Sequence, residues 1–561
     1  MTRIATHKAS AMRWIADDVD AGDQAELQRV LADALAGAAE ELAARMAAPL
    51  RFGTAGLRGP LRAGPAGMNR AVVLRTSAGL ASWLAGQGLT GPVVVGRDAR
   101  HRSEEFAADA AGVFGAAGFD TVLLPRPLPT PVLAFAARRL GAVAGVQITA
   151  SHNPAGDNGY KVYTDGGMQI APPADTGIEA AIAAAPPAVA VRRDGPVRIA
   201  GDDVLETYLQ RVAGLPRGGA RGLRVAATPL HGVGGAVLVE ALHRAGFTDV
   251  HLVAAQAEPD PDFPTVRFPN PEELGATDAL LALATDVDAD LAIALDPDAD
   301  RCALGTRDRA GRWRMLRGDE TGVLLGEHLL AGLDRGDGAR PLVATSIVSS
   351  SLLGKLAHAR GARYAETRTG FKWLTRAGDG LVYAYEEALG YCVDPDAVRD
   401  KDGISAAVLA CDLAATARAA GRALDDLLDS LAVRHGVHRT DQVSVRLSGH
   451  RAAADAMAGL RARLPAELDG YPVQVEDLLR HPHQPDNTLV LRGEGFRVMV
   501  RPSGTEPTLK AYLEVVEPVP TPARLTAVQD TASWRLAALR EATSAVLSAA
   551  LGSGELASGP S

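Results

Sequence analysis

Short apolar runs alternate with helical patterns in the first third of this chain. Strand-like runs at residues 93–95, 121–124 and 143–148 are separated by helical patterns at 106–117 and 132–140. Because neighbouring parallel strands need a crossover helix between them, this alternation predicts a parallel, doubly wound α/β sheet. In such sheets ligands bind outside the carboxyl ends of the strands, so the loops that follow the strands are the places to look for chemistry.

The length of the chain calls for several domains. At 561 residues it exceeds what one hydrophobic core covers, and three or four domains are expected. We predict an Ala-rich helical extension, three α/β domains, a smaller α+β domain and a disordered tail rich in Gly, Ser and Pro. These divisions cover residues 1–48, 49–200, 201–315, 316–440, 441–550 and 551–561, respectively.

The loop after the strand at 143–148 contains a serine among polar turn formers. Residues 149–163 read TASHNPAGDNGYKVY, with Ser151 three positions after the strand. A loop of this kind presents its hydroxyl outward and leaves backbone amides free to face an anion. An ordinary surface turn is the alternative interpretation. The turn at 231–234 (HGVG) leaves a similar choice between phosphate binding and helix capping.

A second loop, at residues 296–301, carries three carboxylates at alternating positions. Asp296, Asp298 and Asp300 follow a buried-looking strand and are followed by Arg301. Hard carboxylate oxygens suit Mg²⁺, which needs few protein ligands and keeps room for phosphate oxygens. An EF-hand is excluded because its sixth position needs Gly and its twelfth Glu, and this chain has arginine at both. The loop therefore predicts a magnesium site, with a generic acidic turn as the alternative.

A third loop of complementary chemistry lies near the C-terminus. Residues 501–507 read RPSGTEP, between a strand-like run and a second apolar run. Arg501 supplies a guanidinium, Ser503 and Thr505 supply hydroxyls, and Gly504 lets backbone amides approach an anion. The loop predicts a phosphate cradle, although Pro and Gly also mark ordinary turns.

Together these loops resemble the α-D-phosphohexomutase family, which includes phosphoglucomutases and phosphomannomutases. The resemblance also includes the glycine-rich stretch at 52–59 (FGTAGLRG), so it extends over nearly all of the chain. It implies three doubly wound α/β domains and a smaller C-terminal α+β domain around a central cleft. It also implies an isomerase that interconverts sugar 1-phosphate and sugar 6-phosphate, for glucose or mannose, through a phosphoserine and a sugar bisphosphate.

The chain departs from many family members at the loop that selects the sugar. Residues 386–391 read EEALGY, so Glu387 and Gly390 match, but Leu389 stands in place of a serine and Tyr391 in place of a histidine. With the VRDKDG sequence at 398–403, this version resembles the branch that contains the second phosphoglucomutase type, phosphopentomutases and sugar-bisphosphate synthases. Interpreted as an apolar wall, Leu389 predicts relaxed sugar specificity.

The resemblance also implies roles for individual residues. Ser151 is the phosphoryl carrier and, with the three aspartates, a ligand of one Mg²⁺ per chain; a sugar 1,6-bisphosphate is the intermediate and activator. The implied catalytic residues are Ser151, Lys161, Arg58 and His152, the last three as candidates for the base. The implied substrate-binding residues are Glu387, Gly390, Lys372, Arg301, Arg501, Ser503, Gly504 and Thr505.

Two other outcomes stay open from the sequence. The same site fits a phosphopentomutase or a hexose-bisphosphate synthase, which differ in substrate or donor. A catalytically retired scaffold protein that binds phosphosugars is the alternative from another class, and the retention of Ser151, the aspartates and Arg501 argues against it.

The amino-acid composition limits the classes of binding partner and the compartment that are expected. A net charge of −9 and a pI near 5.8 argue against a nucleic-acid partner, which requires a basic surface. Three cysteines, Cys302, Cys392 and Cys411, are too few for a disulfide framework and fit a reducing compartment. No signal-peptide core and no stretch of about 18 apolar residues is present, so no membrane partner is expected. We expect a cytoplasmic enzyme of small phosphosugars, monomeric or homodimeric.

Overall fold

A computed structural model describes residues 2–53, 56–333, 340–447, 450–481, 485–503 and 508–551. The chain begins with a small helical extension that packs through its own apolar cluster, in which Leu27 and Leu42 are fully buried. Asp20 caps the second helix by accepting a hydrogen bond from the Asp23 backbone N–H at 2.9 Å. The helices of this extension are α1 (Thr2–Asp17), α2 (Ala21–Leu35) and α3 (Glu40–Met46).

Domain I contains the first sheet, whose strand order is β1-β5-β4-β2-β3-β7, with β6 paired to β5. Strands β4, β2, β3 and β7 are parallel, whereas β1 and β5 run antiparallel at the edge. The elements are β1 (Leu57–Pro60), α4 (Arg70–Gly86), β2 (Pro92–Arg97), α5 (Ser103–Ala116), β3 (Asp120–Leu123), α6 (Thr130–Arg139), β4 (Ala144–Ile148), β5 (Asp157–Thr164), β6 (Met168–Gln169), α7 (Ala174–Ala183) and β7 (Arg198–Ile199).

Domain II contains a five-stranded sheet in the order β12-β11-β10-β8-β9, in which β10, β8 and β9 are parallel. Every residue of the central strand β10 is buried, as expected for a strand covered on both faces. The elements are α8 (Asp203–Ala213), β8 (Arg224–Thr228), α9 (Gly235–Arg244), β9 (Asp249–Leu252), α10 (Asp278–Asp286), β10 (Leu291–Leu295), β11 (Cys302–Arg307) and β12 (Trp313–Met315).

Domain III contains a four-stranded sheet in the order β14-β13-β15-β16, with only β16 antiparallel. Its helix α14 is buried along almost its whole length. The elements are α11 (Gly318–Ala331), β13 (Leu342–Ser346), α12 (Leu352–Arg360), β14 (Arg363–Thr367), α13 (Phe371–Leu374), β15 (Leu381–Glu386), β16 (Gly390–Cys392), α14 (Gly403–Ala419) and α15 (Leu424–His435).

Domain IV differs from the other three because its main sheet, β17-β23-β22-β21-β20, is wholly antiparallel. One face of this sheet packs against α16 and the long α17. The elements are β17 (Val437–Arg446), α16 (His450–Ala462), β18 (Glu467–Leu468), β19 (Tyr471–Pro472), β20 (Gln474–Asp477), β21 (Leu489–Gly493), β22 (Phe496–Pro502), β23 (Thr508–Glu517) and α17 (Leu525–Leu551).

The four-domain α/β architecture predicted from the sequence is confirmed, with one difference in the sheets. Each sheet of domains I to III has a parallel core and an antiparallel edge, because β4–β5, β10–β11 and β15–β16 are joined directly, without a crossover helix. The predicted tail, residues 551–561, lies outside the described residues except for Leu551, which is the last residue of α17.

The three cysteines are buried and unpaired. Across the described ranges no single helix has the length and apolarity to span a membrane; α14 and α15 meet that test only as a pair bent by 86°.

Candidate active site

The connections between antiparallel strands carry all four candidate loops. Ser151 lies between β4 and β5, the aspartates between β10 and β11, and Glu387 between β15 and β16. Arg501 ends β22, before the turn into β23. In the first three sheets the preceding strand belongs to the parallel core, so each loop leaves from a carboxyl edge, where α/β sheets bind ligands.

The serine loop is strained and clamped. Ser151 is buried and has φ +53°, a left-handed conformation that a non-glycine residue adopts only when its surroundings impose it. Its backbone N–H donates to Thr149 Oγ1 at 2.9 Å. Arg100 donates to the carbonyl oxygens of Ser151 and Asn153, both at 2.6 Å, and to that of Pro154 at 2.8 Å. Sequence reasoning missed Arg100, although its place three residues after β2 put it at the same sheet edge.

The serine meets the metal loop directly. Ser151 Oγ donates to Asp296 Oδ2 at 2.7 Å and lies 3.2 Å from His152 Nδ1. Serine and aspartate come from different domains, 145 positions apart in the chain. The structure therefore brings together two loops that the sequence identified separately.

The three aspartates form a compact, buried group suited to a cation. One ligand oxygen from each of Asp296, Asp298 and Asp300 lies within 4.8 Å of the others. The Oδ1 atoms of Asp298 and Asp300 are buried and, within the described part of the chain, accept no hydrogen bond. Burial, reinforced by the other two carboxylates, raises the pKa of Asp296 well above its ordinary value. Unpaired carboxylate oxygens at this spacing fit a divalent ion such as Mg²⁺.

Lys161 supplies positive charge to this group from β5. Its Nζ lies 2.5 Å from Asp298 Oδ2 and 2.8 Å from Asp300 Oδ2. Burial opposes the charge on Lys161, but the two carboxylates outweigh burial and raise the pKa of this lysine. Thr130, at the start of α6, adds a hydrogen bond from its Oγ1 to Asp298 Oδ2 at 2.5 Å. Sequence reasoning missed Thr130, and only the tertiary fold brings α6 to the metal loop.

Arginines surround the serine and the aspartates. Arg301 Nε lies 3.7 Å from Asp296 Oδ2, and the Arg301 guanidinium also contacts the ring of His152. Burial, with the charges of Arg301 and Arg58, lowers the pKa of His152 well below its ordinary value. Arg58 Nε is buried and has no hydrogen-bond partner among the described atoms. An anion such as phosphate would satisfy these donors.

Glu387 is held by two serines, one at the end of β13 and one in the loop that follows it. Ser346 Oγ and Ser349 Oγ donate to Glu387 Oε2 at 2.9 and 2.8 Å. The neighbouring Glu386 is half-buried, and burial raises its pKa to about 7. Neither serine was identified from the sequence, because a lone hydroxyl after a strand carries no signal of its own.

Leu389 does not form the apolar wall expected from the sequence. It is 3% exposed, has φ +63°, and packs in an apolar cluster with Ala226, Val253 and Leu280 of domain II. Because the side chain is part of a core, it is not available to contact a sugar. The argument for relaxed specificity from Leu389 is therefore wrong in its premise.

Backbone contacts between domains II and III explain two glycines. Gly390 forms a β-bridge with Arg301, and a side chain there would clash with Lys401. A Cβ atom on Gly403 would lie 2.4 Å from the Arg301 carbonyl oxygen. Between them, Lys401 places its Nζ 3.5 Å from Asp300 Oδ2. Gly390, predicted to bind substrate, has at least this packing role, and Lys401 joins the charged group.

For the remaining predicted site residues the structure describes fewer contacts. Lys372 is buried on α13 beside the ring of Trp373, and burial lowers its pKa to about 8. Arg501 is half-buried at the end of β22 and forms a hydrogen bond with Tyr512. The Ser503 backbone N–H donates to the Thr508 carbonyl at 2.8 Å. Gly504 and Thr505 lie outside the described residues.

The turn at 231–234 packs against the metal loop. A side chain on Gly232 would lie 2.3 Å from Pro297 Cα, and the Val233 N–H donates to the Pro297 carbonyl at 2.8 Å. The turn therefore supports the loop of aspartates, a role that neither sequence interpretation included.

Comparison with known proteins gives this arrangement a family. Models of phosphoglucomutase/phosphomannomutase α/β/α domains I, II and III match residues 49–188, 206–311 and 317–434 in that order. The chain belongs to the phosphoglucomutase/phosphomannomutase family. It is accordingly a sugar-phosphate mutase and an isomerase, as the resemblance predicted.

Relatives within this family carry several substrate names. A probable phosphomannomutase of Haemophilus influenzae is 41% identical over 454 residues, which cover 80% of this chain and 93% of that protein. A probable phosphoribomutase of Schizosaccharomyces pombe is 34% identical over 523 residues, which cover 82% of this chain and 86% of that protein.

A solved structure of a family protein from Burkholderia thailandensis shares the fold. It matches with a TM-score of 0.68 at 21% identity and covers 90% of this chain and 98% of the other.

Proposed function

We propose that the enzyme moves a phosphoryl group between O1 and O6 of glucose or mannose phosphate, with Ser151 as the carrier. The observation that supports this proposal is the hydrogen bond from Ser151 Oγ to Asp296 at the edge of a buried aspartate triad. A carrier is needed because the two sugar oxygens are far apart. The sugar monophosphate receives the phosphate from Ser151, turns over as a bisphosphate, and returns its other phosphate to the serine.

The protein residues position and stabilise the transferred group. Phosphoryl transfer depends mainly on alignment and on charge around the equatorial oxygens. Arg58 and Arg301 provide donors on the side of Ser151, and Arg501 with its loop is proposed to hold the distal phosphate. When Mg²⁺ is bound by Asp296, Asp298, Asp300 and the serine, it neutralises charge on the transferred phosphate.

The sugar hydroxyl must lose a proton as its oxygen bonds to phosphorus and the bond to Ser151 Oγ breaks. Of the three candidate bases, Arg58 does not deprotonate in proteins and Lys161 is held as a cation by two carboxylates. His152, next to Ser151 Oγ, is the remaining candidate. We propose that His152 accepts the proton. Loss of the acidic limb of the pH–rate profile in His152→Gln would support this role, and an unchanged profile would refute it.

Glu387 is proposed to accept hydrogen bonds from sugar ring hydroxyls. Gly390 and Lys372 are proposed to bind the substrate as well. The pentose phosphates form a second candidate substrate class, because the Schizosaccharomyces pombe relative is named a probable phosphoribomutase. We also propose a cytoplasmic location, which the three unpaired cysteines support. A monomer or homodimer is proposed, with a sugar 1,6-bisphosphate as activator.

A coupled assay on glucose 1-phosphate, mannose 1-phosphate and ribose 1-phosphate, combined with intact-mass spectrometry, tests these proposals. The expected result is turnover of at least one hexose phosphate and a single phosphate on Ser151. Turnover of ribose 1-phosphate alone would move the enzyme to the pentose class. Binding of phosphosugars without any turnover would indicate the retired scaffold.

A further inference from the structure

Domain IV forms hydrogen bonds with the loop after β13, which contains Ser349, a hydrogen-bond partner of Glu387. Arg497, on β22, donates to the Ser349 carbonyl oxygen, and its Nη1 lies 3.4 Å from the Ile347 carbonyl oxygen. Ser349 is one of the two serines whose hydroxyls donate to Glu387. A single residue of domain III is therefore bonded to Glu387 through its side chain and to domain IV through its backbone.

Glu514 binds both Arg497 and the same loop of domain III. Its Oε2 accepts from Arg497 Nε at 2.6 Å, and its Oε1 accepts from Ser350 Oγ at 2.7 Å and from the Ser351 N–H at 2.9 Å. His438 Nδ1 lies 2.9 Å from the same Oε1. Burial alone raises the pKa of Glu514, but His438 and Arg497 outweigh burial and lower it to about 2. Glu514 is therefore ionised at neutral pH.

The same face of domain IV carries the predicted phosphate loop. Alternate residues of a strand point to the same side, so Arg497 and Arg501 share one face of β22. Their partners across the sheet are Glu514 and Lys510 on β23. Between the two pairs, Met499 and Tyr512 pack on Val348, inside the loop that holds Glu387. One pair of strands thus connects Arg501 to the support of Glu387.

We propose that Arg497 and Glu514 are positioning residues that tie the orientation of Glu387 to strands β22 and β23 of domain IV. This inference rests on the proposed role of Glu387 in sugar binding. It means that Glu387 is oriented for sugar binding only while Arg497 of domain IV contacts the Ser349 carbonyl. Arg497 and Glu514 touch no substrate themselves and act through Ser349 and its neighbours.

The test compares KM and kcat for the preferred sugar phosphate in single and double variants. Arg497→Ala should raise KM about tenfold, the size expected for one charge-assisted hydrogen bond, with kcat changed less. Arg497→Lys keeps the positive charge but cannot donate to Glu514 and the Ser349 carbonyl at the same time as a guanidinium does. This variant should therefore show a smaller rise in KM than Arg497→Ala, but not wild-type KM. Arg492, exposed on β21 directly opposite Arg497, gives the matched control, and Arg492→Ala should change neither constant.

The double variant Arg497→Ala with Glu387→Gln decides between positioning and a plain structural role. If Arg497 acts through Glu387, adding Arg497→Ala to Glu387→Gln raises KM little further. Multiplicative effects would overturn the coupling while leaving the role of Glu387 intact. A Glu387→Gln variant with unchanged KM would overturn the proposed role of Glu387, and with it this inference. If Arg497→Ala does not fold, Glu514→Gln serves in the same cycle, because it keeps the shape and removes the charge.

Discussion

Ser151 and Glu387 both lie in loops at the carboxyl edge of a sheet, but they are held in place by different kinds of partner. Ser151 donates to Asp296, which is itself part of a short recognisable motif, and Lys161 contacts the next two aspartates of that motif. Glu387 is held by Ser346 and Ser349, which belong to no motif, and Ser349 in turn is held by Arg497 of domain IV.

The two regions differ in whether the residues that hold the proposed functional group can be recognised from the sequence. Around Ser151 the groups proposed to do chemistry contact one another, so their identity and their spacing are recorded in the same few residues. Around Glu387 the proposed binding group is separated from its supports in the sequence, and ordinary serines and one arginine decide its orientation. Changing any motif residue around Ser151 should therefore cause a large loss of turnover. Changing a support of Glu387 should weaken substrate binding only in part.

The largest effect should come from Ser151→Ala. Without the hydroxyl there is no phosphoryl carrier, and activity should fall at least about a thousandfold, as for loss of other covalent nucleophiles. The measurement is the coupled mutase assay, with intact mass to show that the phosphate is absent. Ser533→Ala, on the exposed side of α17, is the control and should behave as wild type. Near-wild-type turnover by Ser151→Ala would refute the covalent mechanism.

Removal of the metal should have the next largest effect. Prolonged EDTA treatment should abolish most activity, and Mg²⁺ should restore it. Asp298→Asn removes one charge and one strong oxygen ligand, so about a hundredfold loss of turnover and weaker Mg²⁺ binding by titration calorimetry are expected. Asp530→Asn, on exposed α17, gives a matched control. Full activity in thoroughly chelated protein would contradict the metal assignment.

Glu387→Gln should have a smaller effect, mainly on binding. The amide keeps the shape but removes a charged acceptor, and KM should rise about 10- to 100-fold, which corresponds to a charged hydrogen bond. Ser349→Ala should give part of the same rise, since one of two supports of Glu387 is lost. Steady-state kinetics measure both, with Glu494→Gln in an exposed turn as control. Equal loss of kcat and kcat/KM would instead place Glu387 in the chemical step.

The smallest effect concerns a carboxyl beneath the Glu387 loop. Asp319 is buried, accepts from the Ser350 N–H at 2.7 Å and from Tyr385 Oη at 3.0 Å, and burial raises its pKa to about 7. A raised carboxyl pKa means that its stabilising contribution is complete below the unfolded pKa near 4 and is lost as pH rises through 7. Asp319→Asn keeps an acceptor without the charge.

The melting temperature of Asp319→Asn should therefore exceed that of wild type by a few degrees at pH 8, and the difference should vanish near pH 4. Thermal unfolding at several pH values checks this, with Asp530→Asn as the pH-independent control. A difference of the opposite sign at pH 8 would show that the charged form is the stabilising one.

The alternation of strands and helices was enough to predict the α/β domains, because crossover helices and buried strands leave strong local patterns. The same patterns did not predict the antiparallel edges, since an antiparallel strand and a parallel strand have similar composition. Leu389 shows a related limit. Its position in a sugar-selecting loop suggested a wall, but an apolar residue in a loop packs wherever a core is within reach, and here that core is in domain II.

The sequence by itself determined which groups are proposed to react: Ser151, the three aspartates, Arg301 and Arg501 are recognisable because chemistry restricts residue type and spacing within a loop. Only the tertiary structure decided what surrounds them. Arg100, Thr130, Lys401, Ser349 and Arg497 reach the site from separate elements through the packing of whole domains. Many sequence positions supply an arginine or a hydroxyl, and only the fold selects which of them comes within hydrogen-bond distance.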